Sequence, residues 1–162
     1  MNRAVFLDRD GVINRDPGDY TYNWTEFEFN DDVVPVLKEF QDAGFLLIIV
    51  TNQGGIAKGR YTLEDYRHLT KNMLEILESN DVHISHVYFS PQHDEVSRSL
   101  TRKPGSLLME RAIYKYDIDP SQSWMIGDRE RDIIAAEKVG VKGILIEANS
   151  PLSAIKDQIL DA

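Results

Sequence analysis

The chain contains no cysteine, which removes disulfides, thiolate metal centres and cysteine nucleophiles from any account of its stability or chemistry. It has no internal repeat, no low-complexity segment and no apolar run near the ~18 residues that a membrane span requires. Positive charge is in deficit: 18 Lys and Arg stand against 27 Asp and Glu, for a formal net charge of −9. A surface of that sign repels phosphate backbones, so no nucleic-acid partner is expected, and a phosphorylated ligand needs a local cationic pocket. The first residues run straight into an apolar strand pattern, without the basic segment or cleavage site of a secretory leader. The expectation is a cytoplasmic protein without membrane partners.

What the chain does have is ordinary globular content, 42% hydrophobic and 28% charged residues. At 162 residues it is expected to form a single domain spanning 1–162. The stretch Ala4-Val5-Phe6-Leu7-Asp8-Arg9-Asp10-Gly11-Val12 carries the first chemical signal. Four apolar residues read as a buried strand, and Asp8 and Asp10 follow at its C-terminal end. In an open parallel α/β sheet, that end is where ligands bind. On these residues alone a solvated turn is an equal reading, since Asp and Gly are common turn residues.

Later segments repeat the pattern of a polar cluster at a strand end or helix start. Residues 12–30 read as a loop or flap, with the turn Asp16-Pro17-Gly18-Asp19 and the aromatics Tyr20, Tyr22, Trp24, Phe27 and Phe29. The aromatics are expected to anchor the loop rather than wall a substrate, with Asn14 and Tyr20 the residues that face a ligand. Asp31-Asp32 is placed as the cap of a helix over Val33–Ala43, closed by Gly44. A buried strand Phe45–Val50 then ends at Thr51-Asn52-Gln53-Gly54-Gly55, whose amides and hydroxyl suit a phosphate.

Lys58 and Arg60 lie in a basic loop before a helix over Thr62–Ser79, where Thr62 and Asp65 have capping-box spacing. A third strand is placed near 85–89. His83, His86 and His93 fit no metal spacing and read as packing or surface residues. After a polar loop over 90–102, Lys103-Pro104 is expected to open a helix, with proline in its first turn. The fourth strand, Ser123–Ile126, leads to Gly127-Asp128. Asp132 sits in the opening turn of the next helix, where a structural cap is the plain reading. A fifth strand over Gly143–Ile146 and a short helix starting at Ser150-Pro151 complete the chain. Strict strand–helix alternation implies a parallel sheet with helices on both sides. Asp8, Asp10 and Asp128 crowded at its edge cannot all stay ionised without a cation, and Mg²⁺ suits such an oxygen-ligand site.

In order and spacing, Asp8-x-Asp10-Gly11-Val12, Thr51, Lys103 and Gly127-Asp128-x-x-x-Asp132 resemble the motifs of the haloacid dehalogenase-like superfamily. The resemblance covers nearly the whole chain. It implies a Rossmann-like three-layer sandwich with about five parallel strands, and Mg²⁺ held by the Asp8 and Asp128 carboxylates and the Asp10 backbone carbonyl. It further implies that Asp8 is a nucleophile forming an aspartyl-phosphate, and that Asp10 is a general acid–base free to swing outward. Thr51 and Lys103 would hold the phosphoryl oxygens, beside Arg102 as a second cation, with Asn52, Gln53 and Arg129 binding substrate.

The intervals between motifs leave no room for a cap domain. Phe6-Leu7-Asp8-Arg9-Asp10-Gly11, Thr51-Asn52-Gln53 and Arg102-Lys103-Pro104 resemble the capless branch of the D-glycero-D-manno-heptose 1,7-bisphosphate and histidinol-phosphate phosphatases. That branch usually carries a zinc loop of Cys-x-His and Cys-x-Cys, and Ser90, Gln92, Ser99 and Thr101 stand at the matching positions. No zinc is expected. The implied reaction is hydrolysis of a small phosphorylated molecule. A heptose 1,7-bisphosphate is favoured because Lys58 or Arg60 would meet its second phosphate, with histidinol phosphate as the alternative. A nucleic-acid 3′-phosphatase and a non-catalytic phosphate-binding module remain as further readings, and oligomeric state stays open.

Overall fold

The computed structural model describes residues 1–162. Five parallel strands, β1 (Arg3–Leu7), β2 (Phe45–Asn52), β3 (Ile84–Ser90), β4 (Trp124–Gly127) and β5 (Lys142–Leu145), form one sheet in the order β3-β2-β1-β4-β5. The connecting helices are α1 (Val33–Asp42), α2 (Leu63–Ser79), α3 (Leu107–Lys115) and α4 (Glu130–Glu137), with α5 (Lys156–Leu160) at the end.

Period-two alternation divides the apolar strands between two layers. Val5, Leu7, Leu47 and Ile49 point to one face and pack with Val36, Leu37 and Phe40 of α1, Met73 and Leu77 of α2, and Ile159 of α5. Ala4, Phe6, Ile48 and Val50 point to the other and pack with Leu108, Met109 and Ala112 of α3 and Ala135 and Ala136 of α4. Both faces are covered, which is why the central strands read as continuous apolar runs. No cap is inserted between the strands.

Chain direction decides where the ligand end lies. From β1 the chain steps outward to β2 and β3, then crosses back over β1 to β4 and β5. The order reverses between β1 and β4, and a crevice opens there at the carboxyl ends. Leu7 pairs with Ile126, and the Asp8 amide donates to the Ile126 carbonyl at 3.0 Å. Asp8 and Asp128, each the next residue after its strand, therefore flank that crevice.

Several expected boundaries are corrected. The Lys103–Pro104 peptide is cis and α3 starts only at Leu107, so Pro104 belongs to the preceding loop and not to a helical first turn. Asp32 stands at the start of α1 but makes no side-chain cap to it. Its carboxylate instead accepts from the amides of Leu152 and Ser153 at 2.9 and 2.8 Å, tying the C-terminal turn to α1. The Thr62–Asp65 capping box forms in both directions. Within 12–30, Trp24 stacks on Phe27 and Phe27 meets Phe29 edge-on, all three against the core, so these rings anchor the loop. The three histidines do not converge: His83 faces Glu78, His86 lies between Tyr88 and Tyr116, and His93 accepts from the Glu95 amide.

The polar loop 90–102 is held by hydroxyls. Thr101 Oγ1 lies 2.8 Å from Ser90 Oγ and 2.7 Å from Ser99 Oγ, and the Thr101 amide donates to Ser99 Oγ. Three of the four positions that resemble zinc-ligand positions thus form a small hydrogen-bonded cluster.

Candidate active site

At the crevice, Lys103 is buried to 1% exposure, and its Nζ has three oxygen partners. It donates to Asp8 Oδ1 at 3.0 Å and to the Val50 carbonyl at 2.6 Å. It also lies 2.7 Å from Asp132 Oδ1, close enough for an ion pair though off the ideal hydrogen-bond direction. Burial acts to lower the pKa of Lys103, but Asp8 and Asp132 overcome it and hold the ammonium above the ordinary lysine range. Asp132 does two jobs, since its Oδ2 also accepts from the Arg129 amide at 3.1 Å at the start of α4.

Carboxylate oxygens of Asp8, Asp128 and Asp132 lie within 4.8 Å of one another. Burial pushes the Asp8 carboxyl up to about 8, against Lys103 and with help from Asp132, Asp10 and Asp128. Burial likewise raises Asp128, aided by Asp132. For both Asp8 and Asp128 burial is the main cause, and the charge of neighbouring carboxylates adds to it, while Lys103 and Arg129 respectively oppose it. A Cβ at Gly11, where φ is +85°, would collide with the Asp128 carboxylate, so the first motif's glycine is required by the fourth motif's acid.

Asp10 is not loose. Its Oδ1 accepts from Arg9 Nε at 3.2 Å, Arg9 Nη2 at 2.8 Å and Asn14 Nδ2 at 3.1 Å, and its Oδ2 accepts from Gln53 Nε2 at 3.1 Å. These four bonds fix where the carboxyl rests, and an outward swing would have to exchange them. Gln53 Nε2 also donates to Thr51 Oγ1 at 2.9 Å, and its Oε1 accepts from the Tyr61 hydroxyl. Asn52 exchanges two bonds with the Lys103 backbone, donating to its carbonyl at 3.0 Å and accepting from its amide at 2.9 Å. The end of β2 thereby sets both the acid and the lysine.

An open cleft of about 340 Å³ joins Asp10, Asn52 and Gln53 to Tyr20, Arg129 and Arg131. Of the expected substrate-facing cations, only Arg129 lines it. Lys58 pairs with Glu95 at 3.1 Å, and Arg60 pairs with Asp19 at 3.3 Å and lies over the Tyr20 ring. Arg102 donates to the Gln92 carbonyl at 3.1 Å and faces Asp94. Burial and then the charge of Arg131 lower the Arg102 guanidinium from its ordinary value, so two cations stand near each other.

Two residues escaped the sequence reading. Arg9 is 1% exposed and bridges Asp10 to the Thr21 carbonyl, although an arginine between two aspartates reads as a solvated loop residue. Arg131 was hidden in a charged run, and only its place three residues after Asp128 at a helix start pointed inward.

The HAD-hydrolase-like family model matches residues 100–152. A D-glycero-β-D-manno-heptose-1,7-bisphosphate 7-phosphatase of Haemophilus influenzae is 37% identical over 172 residues, covering 100% of this chain and 93% of its own. The enzyme of the same name from Escherichia coli K12 is 36% identical, covering 98% and 86%. Among solved structures, D,D-heptose 1,7-bisphosphate phosphatase from B. bronchiseptica superposes with a TM-score of 0.89 at 21% identity, covering 98% of both chains. A HAD-like protein of Mesorhizobium loti superposes with a TM-score of 0.88 at 25% identity, covering 99% of this chain and 85% of its own. Full-length likeness at this identity, on a fold whose strand ends carry these acids and this lysine, means that the chain belongs to the haloacid dehalogenase-like superfamily and is a phosphatase.

Proposed function

We propose that this phosphatase is a Mg²⁺-dependent hydrolase of a small sugar phosphate, D-glycero-D-manno-heptose 1,7-bisphosphate before others, acting through an aspartyl-phosphate. The observation that carries the reading is the buried Asp8–Lys103 pair beside Asp128, next to a cleft lined by Asp10 with Arg129 and Arg131 on its wall.

Asp8 attacks phosphorus while Lys103, fixed by Asp132 and the Val50 carbonyl, neutralises charge on the transferring oxygens. Thr51 supplies a hydroxyl at the same strand end, oriented by Gln53. Asp10 gives a proton to the leaving oxygen and later takes one from water, so one carboxyl serves both half-reactions. Arg9, Asn14 and Gln53 hold that carboxyl toward the cleft.

The acids fit a divalent cation, because three clustered carboxylates have one buried ammonium among them and only an exposed guanidinium, Arg129, 3.8 Å from Asp128. The Asp8 and Asp128 carboxylates and the Asp10 backbone carbonyl would hold Mg²⁺, with Asp132 already engaged by Lys103. When bound, Mg²⁺ supplies further charge neutralisation to the phosphoryl group. The heptose bisphosphatase structure from B. bronchiseptica, a complex with magnesium and phosphate, supports this choice.

The substrate reading rests on the relatives' names and on the cleft. Asp16 and Asp19 also line it and would suit the amine of histidinol phosphate, but Asp16 faces Arg129 and Asp19 faces Arg60. Arg131 pairs with no carboxylate and is left for a second phosphate. The test compares kcat/KM for both substrates with and without Mg²⁺. The bisphosphate is expected to be the better by at least ~10-fold, and a preference for histidinol phosphate would overturn the assignment.

A further inference from the structure

The two edges of the sheet are built differently. β5 is four residues long, begins with Lys142 and contains Gly143, features that blunt an edge against pairing. β3 is seven residues long, Ile-Ser-His-Val-Tyr-Phe-Ser, with no lysine, glutamate, proline or glycine. It pairs only with β2, and its five residues from Ser85 to Phe89 are all half-buried, where the corresponding stretch of β2 is closed. Its outer edge carries no further strand, and along it the Ser85 carbonyl accepts from the Tyr116 hydroxyl at 2.9 Å.

A groove of about 600 Å³ runs along that side between β3 and α2. Its floor is apolar, from Leu74, Ile84, Val87 and Phe89. Its rim is formed by one stripe of α2 with Arg67 and Lys71 toward the N-terminus and Glu75 and Glu78 toward the C-terminus. In a chain of net charge −9 this stripe is balanced, two bases against two acids. Its order is plus, plus, minus, minus, and a two-fold rotation turns such an order into its own complement.

The dimensions agree. From Arg67 to Glu78, α2 rises about 16 Å at 1.5 Å per residue, and from Ile84 to Phe89 the strand advances about 16 Å at 3.3 Å per residue. The two elements run antiparallel, with Tyr66 stacked on Phe89 at one end and Glu78 beside His83 at the other. One axis perpendicular to the sheet, passing near Val87 and between Lys71 and Glu75, therefore serves the strand and the helix together.

We infer that β3 and α2 form an isologous interface with a second copy of this chain, β3 pairing antiparallel with its counterpart to continue the sheet. Arg67 and Lys71 of one copy then meet Glu78 and Glu75 of the other, and both apolar floors close under the paired helices. The arrangement is closed, so assembly stops at two. The active-site cleft lies at the β1–β4 crevice and stays open in each copy.

Sedimentation equilibrium of the full chain tests this, with dimerisation expected in the micromolar range. Lys71→Glu places four like charges across the axis and is expected to weaken the dimer at least ~10-fold. The exchange variant Lys71→Glu/Glu75→Lys keeps the composition, restores the pairing and is expected to return the affinity to near the wild-type value. Both changes lie on the exposed face of a helix, and circular dichroism checks that each variant is folded. Phosphatase turnover serves as a second check of folding and is expected to be unchanged. A monomer throughout, assemblies larger than two, a dimer indifferent to Lys71→Glu, or one that the exchange fails to restore would each overturn the inference.

Discussion

Asp132 and Lys103 form a buried pair 2.7 Å apart, at 0% and 1% side-chain exposure, joining the start of α4 to the loop before α3. Removing one partner leaves a charge without compensation in the interior, a change that typically costs ~3–5 kcal/mol. Asp132→Ala is expected to destabilise by about that much. Asp132→Asn, which keeps the shape and an oxygen for the Arg129 amide, should cost less. Urea unfolding of the three proteins decides it, and an alanine variant within ~1 kcal/mol of wild type would mean that Lys103 is satisfied without Asp132.

Asp8→Asn should abolish turnover while the protein stays folded, because the change removes the nucleophile at almost constant volume. Asp10→Asn should lower kcat by ~10²–10⁴-fold, the usual worth of a positioned acid–base. Measuring turnover and circular dichroism on the same preparations separates chemistry from folding. Appreciable activity in folded Asp8→Asn would sink the nucleophile assignment.

Mg²⁺ should raise the melting temperature of the chelator-treated protein, since a ligand that binds only the folded state stabilises it by mass action. The shift should be lost in Asp128→Asn. An equal shift in that variant would place the cation elsewhere. Elemental analysis of the purified protein should find no stoichiometric zinc.

Arg131→Ala should lower kcat/KM for the heptose bisphosphate by at least ~10-fold, about 1.4 kcal/mol of transition-state binding. Arg60→Ala should change it little, because Arg60 does not line the cleft and its charge is engaged by Asp19. The reverse ranking in a steady-state assay would restore the basic loop as the second phosphate site.

Thr101→Val should destabilise by ~1–3 kcal/mol, leaving the buried Ser90 hydroxyl without its partner. Denaturant midpoints of the variant and wild type measure this. An unchanged midpoint would show that the loop is ordered by packing alone.

The sheet was legible in the sequence because burial on both faces leaves runs such as Phe45–Val50, and because Gly44 and Gly127 mark where runs start and stop. Asp8, Thr51, Lys103 and Asp128 were legible for a related reason. Each sits beside such a run or at a proline or glycine signal, so local pattern places it at one edge once the strands are parallel. The start of α3 was not legible: Pro104 fits a helical first turn locally, and only the packing of Lys103 against Asp8, Asp132 and the end of β2 requires a different path. Local spacing by itself determined the strand–helix alternation and the acids at the strand ends, whereas the meeting of Lys103 with those acids was implied only by the family resemblance. Tertiary structure alone decided that Asp10 is pinned by Arg9, Asn14 and Gln53, and that Arg131, not Lys58 or Arg60, lines the cleft. The physical reason is that a residue's type and period give its direction from its own element, whereas the partner it meets comes from another element whose approach no local pattern records.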